Sequence, residues 1–180
     1  VNVVGSTEVT LLQIEGDAAG YTHKINGNQN VDIIGNTAAI TTTIDISTAT
    51  DAQLSLGLNK AGVGGALTVD ITGSTALATL DISSKTAAST ITLTTSGTAG
   101  MVKTINVTGE VAANITATGL TGVTTVDASK MTAGGLTFAA GNSNVKFTGS
   151  AANDTATFAA TQFTALDVVD GGAGTDTIKL

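Results

Sequence analysis

The side chains able to do chemistry in this chain are almost all oxygen donors. Eleven of the fourteen acids are Asp, all seven bases are Lys, and there is one His and no Cys. Glycines and acids crowd together near the C-terminus, where GSAANDTAT (149–157) and GGAGTDTIK (171–179) each run from Gly to an Asp followed by Thr. Glycines permit tight turns that expose backbone carbonyls, and a carboxylate in such a turn adds to an all-oxygen environment of the kind that suits Ca2+. Without Cys, rigidity cannot come from disulfides, which leaves hydrogen-bond ladders or a bound metal, calcium being the natural candidate.

Other chemistries have less to work with. His23 lies in GYTHKING with no Cys and no distinctive carboxylate partner, so it reads as an exposed loop residue rather than a base or zinc ligand. Serine is common, but a nucleophilic triad needs a positioned base. Paired carboxylates could serve glycoside hydrolysis, yet such sites usually hold the sugar with Arg, Lys or aromatic side chains. This chain has no Arg and only five aromatics, Tyr21, Phe138, Phe147, Phe158 and Phe163. A net charge of -7 with no basic patch argues against nucleic acid. No apolar run reaches membrane-span length, so no membrane insertion is expected, and the chain, opening on Val1, reads as a soluble fragment of a longer or processed polypeptide.

The elements that would position these oxygens are repetitive. Gly, Ala, Ser and Thr dominate and Pro is absent, which suits a thin core under uninterrupted strand ladders. A motif of apolar, any, apolar, any, Gly occurs at VNVVGS (1–6), VDIIGN (31–36), VDITGS (69–74), INVTGE (105–110) and VKFTGS (145–150). Its glycines are 30, 38, 36 and 40 residues apart. TTIDIS (42–47), ATLDIS (78–83), TTVDAS (124–129) and TALDVV (164–169) follow in constant order. A third apolar pair comes next: Leu54 with Leu56, Ile91 with Leu93, Leu136 with Phe138, and Ile178 with Leu180. Period two puts Val69, Ile71, Leu80 and Ile82 on a dry face and Asp70 and Asp81 on a wet one. Such a unit cannot cover its apolar face alone, whereas stacked units close a continuous core. The prediction is an all-β chain, a parallel β-solenoid (β-helix or β-roll) over residues 1–180, with two or three strands per coil. An antiparallel β-sandwich is the alternative, but it does not require the same motifs to return in order.

GGAGTDTIK matches, at every specified position, the nonapeptide G-G-x-G-x-D-x-apolar-x of calcium-binding parallel β-rolls, and GSAANDTAT resembles a degenerate copy with Ser150 and Ala152 in place of two glycines. The resemblance gives Gly171, Gly172 and Gly174 the turn, Asp176 the carboxylate and Ile178 the inward side chain. Because the ion in such rolls is shared between neighbouring turns, it implies Asp154 and Asp176 as ligands. The carbonyls of Gly171 and Ala173 would help, with Asp170 as an additional ligand. The plainer alternative is a set of ordinary Gly-Asp turns. Asp45, Asp81, Asp127 and Asp167 share a motif position and would form a ladder if the motifs stack, solvated or bridged by further cations. Thr-x-Thr pairs, Thr41 with Thr43, Thr116 with Thr118 and Thr155 with Thr157, resemble the arrays of ice-binding solenoids but occupy no common motif position.

With these motifs and segments such as LTGVTTVDASKMTAGGLTF (120–138), the chain resembles the repeats-in-toxin (RTX) superfamily, particularly calcium-dependent surface-layer (S-layer) proteins of Gram-negative bacteria. Its calcium repeats would occupy about 145–180. The resemblance implies an extracellular, cell-surface location after type I secretion, though the sequence stops inside a repeat and shows no export signal. It also implies self-assembly into a lattice with calcium, and anchoring to lipopolysaccharide or another surface glycan through a different region. The stalk of an RTX adhesin or toxin and a β-helix carbohydrate-active enzyme are the alternatives; a structural, non-enzymatic role is the expectation.

Overall fold

The computed structural model describes residues 11–15, 22–24, 30–35, 40–45, 53–59, 61, 66–72, 76–96, 101–141 and 144–180. Segments in which apolar residues alternate with Thr, Ser, Asn or Asp form its strands, since alternation gives a strand one buried and one wet face. In chain order these are β1 (Leu11–Glu15), β2 (Thr22–Lys24), β3 (Asn30–Ile34), β4 (Ile40–Asp45), β5 (Gln53–Asn59), β6 (Leu67–Thr72), β7 (Thr79–Ser84) and β8 (Ser89–Thr94). They continue with β9 (Thr104–Gly109), β10 (Ala113–Thr116), β11 (Thr125–Met131), β12 (Leu136–Ala139), β13 (Lys146–Thr148), β14 (Thr155–Thr157), β15 (Val168–Asp170) and β16 (Thr177–Lys179).

Odd-numbered strands build one eight-stranded sheet and even-numbered strands the other, each in chain order. Every pairing is parallel. The protein is therefore a parallel β-solenoid with two strands per coil, and the sandwich, which needs hairpins, is excluded by the pairing. His23 is not in a loop: it lies in β2 with its backbone aligned to Ile44.

The coil is shorter than the spacing of the motif glycines. Residues in register one coil apart are separated by as few as 18 positions, Thr137 to Thr155, and as many as 27, Ile40 to Leu67. VDIIG, INVTG and VKFTG fall in β3, β9 and β13 of the first sheet, but VDITG falls in β6 of the second; the copy at 1–6 lies outside the described residues. In both sheets the motif's apolar positions point inward. The motif thus marks a strand with one dry face, not a fixed place in the coil.

Inward residues stack in columns. Leu54, Leu80, Ile105, Val126 and Phe147 follow one another in the first sheet, and Ile91, Ile115, Phe138 and Ala156 in the second; all are buried. The predicted dry face holds, with Val69, Ile71, Leu80 and Ile82 at most 1% exposed and Asp70 and Asp81 outside. Phe138 and Phe147 meet in the core, their ring centroids 6.4 Å apart, and the neighbour of Phe138 one coil on is the small Ala156. Large beside small keeps a narrow interior filled at constant strand spacing.

Candidate functional site

The two Gly-Asp turns lie directly one above the other. Thr155 pairs with Thr177, so Asp154 and Asp176 occupy the same place in successive coils, as do Gly149 and Gly171. Each Asp reaches back one coil: Oδ1 of Asp154 accepts the Leu136 N–H at 2.5 Å, and Oδ1 of Asp176 accepts the Asp154 N–H at 2.9 Å. The side chains thereby extend the strand ladder into the turn.

Their surroundings differ. Asp154 is 2% exposed, and its Oδ2 accepts the Ser150 N–H at 2.7 Å and the Ser150 hydroxyl at 3.0 Å. Asp170, Ala173 and Asp176 are exposed and Gly171 is half-buried. Asp170 Oδ1 accepts the Gly172 N–H at 3.1 Å. The backbone is left-handed at Gly172 (φ 82°) and Gly174 (φ 112°), where a side chain would also collide with the carbonyls of Ser150 and Ala152. These glycines do what the motif requires of them. Ser150 and Ala152, at the equivalent places one coil earlier, have no such conformation, Asn144 being the one non-glycine with positive φ among the described residues.

The two turns differ in burial, β15 and β16 being end strands with a neighbour on one side only. Asp170, Asp176 and the carbonyls of Gly171 and Ala173 are oxygen donors of the hard type that Ca2+ prefers. Asp154 is buried and held by three donors, and its Oδ2 and the Gly171 carbonyl both lie against Gly149. No cluster of three or more His, Cys, Asp or Glu side chains is arranged for a metal among the described residues, so any ion here relies on carbonyls.

The four motif acids do not form one ladder. Asp45 lies in the second sheet. Asp81 and Asp127 share a column of the first sheet with Asn106 between them, and Asn106 donates to Asp81 at 2.7 Å, so an amide separates the charges. Asp167 precedes β15 and caps a turn, accepting the Val145 N–H at 2.6 Å and the Thr164 N–H at 2.7 Å. Burial opposes ionisation of Asp167, but these N–H groups, the Thr164 hydroxyl and the Asn144 N–H together hold its carboxyl below the ordinary aspartate range. At Asp127 the Ser129 hydroxyl and N–H lower the pKa, helped by Lys130 and Lys146 against a smaller burial effect. The Ser129 N–H bond, 2.9 Å long, sits in a bulge where Ala128 and Ser129 together face Val107.

Two outer-face features had no signature as motifs. On the first sheet, both oxygens of Asp32 lie 2.7 Å from Lys85 Nζ in an ion pair that arches from β3 to the end of β7 over Gly57 of β5. A side chain at 57 would strike that pair. Beside it runs a trough of about 390 Å3 whose polar lining includes Asn30, Ser55, Asp81 and Thr108. On the second sheet, Thr41, Thr68, Thr92 and Thr116 align in one outer column, which continues through Ala139 to Thr157. Thr90, Asn114, Thr137, Thr155 and Thr177 form a second. Thr41, Thr116 and Thr157 thus share one column, but the Thr-x-Thr pairs do not coincide, Thr41 being the first member of its pair and Thr157 the second, while Thr118 lies in the turn beyond β10.

Comparison with protein-family models, curated proteins and solved structures gives no match. Among the described residues no helix is long and apolar enough to cross a membrane.

Proposed function

We propose that this chain is a structural segment of an extracellular self-assembling array, an S-layer of the RTX kind, and not an enzyme. The observation that carries the reading is the repetition of outer side chains: Thr41, Thr68, Thr92 and Thr116 present the same contact on four successive strands of the second sheet, about 4.8 Å apart. Many weak copies of one contact give lateral strength by multivalency. Calcium, bound by Asp170, Gly171, Ala173 and Asp176, stabilises the C-terminal turns and links their order to a calcium-rich exterior. Negative-stain microscopy of the purified protein in millimolar calcium is expected to show ordered sheets; isolated rods under all conditions would favour an adhesin or toxin stalk instead.

A second reading draws on the same columns. Flat ranks of threonine hydroxyls and methyls at strand spacing are the arrangement by which solenoids bind ice. Thermal hysteresis or shaped ice crystals at micromolar protein, abolished by Thr92→Lys, would favour it over the array.

A further inference from the structure

The geometry points to a turn that carries its own substitute for a cation. At 149–154, Ser150 stands where the calcium motif has its second glycine, and it donates two hydrogen bonds to one carboxylate oxygen. Its N–H lies 2.7 Å and its hydroxyl 3.0 Å from Asp154 Oδ2, while the Leu136 N–H meets Oδ1 at 2.5 Å. Ser150 and Asp154 are 4% and 2% exposed, so this neutralisation by hydrogen bonding takes place out of water, where an uncompensated carboxylate would be costly. Ser150 Oγ also accepts the Ala152 N–H at 3.0 Å, closing the turn on itself. The left-handed residues that turn the carbonyls of the next coil, Gly172 and Gly174, have no counterpart here. This rung is thus metal-independent, and dependence on calcium begins one coil later, at Gly171. The second half of that statement rests on the calcium reading proposed above; the first does not.

Hydrogen exchange of the whole chain, compared in chelator and in millimolar Ca2+, tests it. The amides of Leu136 and Ser150 are expected to be equally protected in both, whereas those of 172–179 gain about tenfold or more protection with Ca2+. Ser150→Gly, which restores the motif glycine and removes the hydroxyl, should lower protection at Leu136 in chelator and make it respond to Ca2+. If Leu136 and Ser150 in the unaltered chain need Ca2+ for protection, the inference is overturned. If they are protected without it and 172–179 do not respond either, the metal-free turn stands and the calcium reading falls.

Discussion

Replacing Asp154 by Ala removes the acceptor shared by the Leu136 N–H, the Ser150 N–H and the Ser150 hydroxyl, all in a buried turn. Each donor left without a partner costs about 1–3 kcal/mol, so chemical denaturation of Asp154→Ala should show a large loss, and Asp154→Asn, which keeps one acceptor oxygen, a smaller one. Asp167 is the pH-sensitive counterpart. Its folded-state pKa lies below the unfolded one, so its contribution is fully present above the unfolded value and disappears as pH falls through the folded value. Exchange at the Val145 amide, corrected for intrinsic rate, should be constant down to about pH 4 and accelerate below it; Asp167→Asn should flatten that dependence.

At the scale of strands and turns, glycines that look alike in sequence have different reasons to be glycine. Gly57 has ordinary strand geometry and only the tips of Asp32 and Lys85 above it. Gly57→Ala should displace that partly exposed ion pair and change stability by less than about 1 kcal/mol. Gly109 has φ 126° and the Ser84 backbone against it, so Gly109→Ala should cost clearly more, the strain being in the main chain. Thermal melts of the two variants give the comparison directly. The strands themselves were legible, because alternation such as LTVDIT or TLDISS fixes which residues face inward wherever one side is dry. The coil length was not, since the same apolar alternation occurs in both sheets and the step from coil to coil varies. Asp154 and Asp176 were correctly aligned by their 22-residue offset, which equals the local coil. What Ser150 does in that turn was hidden, because the sequence records only a missing glycine, not a hydroxyl turned inward. The Asp32 and Lys85 pair was equally invisible, its partners being 53 residues and two coils apart.

For the molecule as a whole, stability resides in the thin core. Leu80, fully buried with Leu54 and Ile105 on either side in its column, should lose about 2–5 kcal/mol on truncation to Ala. Thr92→Ala on the outer face should stay within about 0.5 kcal/mol. Equilibrium unfolding separates the two, and a core contribution that failed to exceed the outer one would contradict the assigned faces. The outer face should instead matter for association: Thr116→Lys places a charge in the middle of the column and is expected to leave the melting temperature nearly unchanged while preventing ordered sheets in calcium.

Apart from the bulge in β11, register is kept from coil to coil although the connecting arcs differ by up to nine residues between the 18-residue and 27-residue steps. The reach of this body is therefore quantised: gaining or losing one full revolution of chain changes its length by about 4.8 Å and leaves every surviving neighbour pair intact. Duplication or deletion of a revolution can thus tune a spacer by even increments, while the arcs at its flanks diversify without disturbing the ruler.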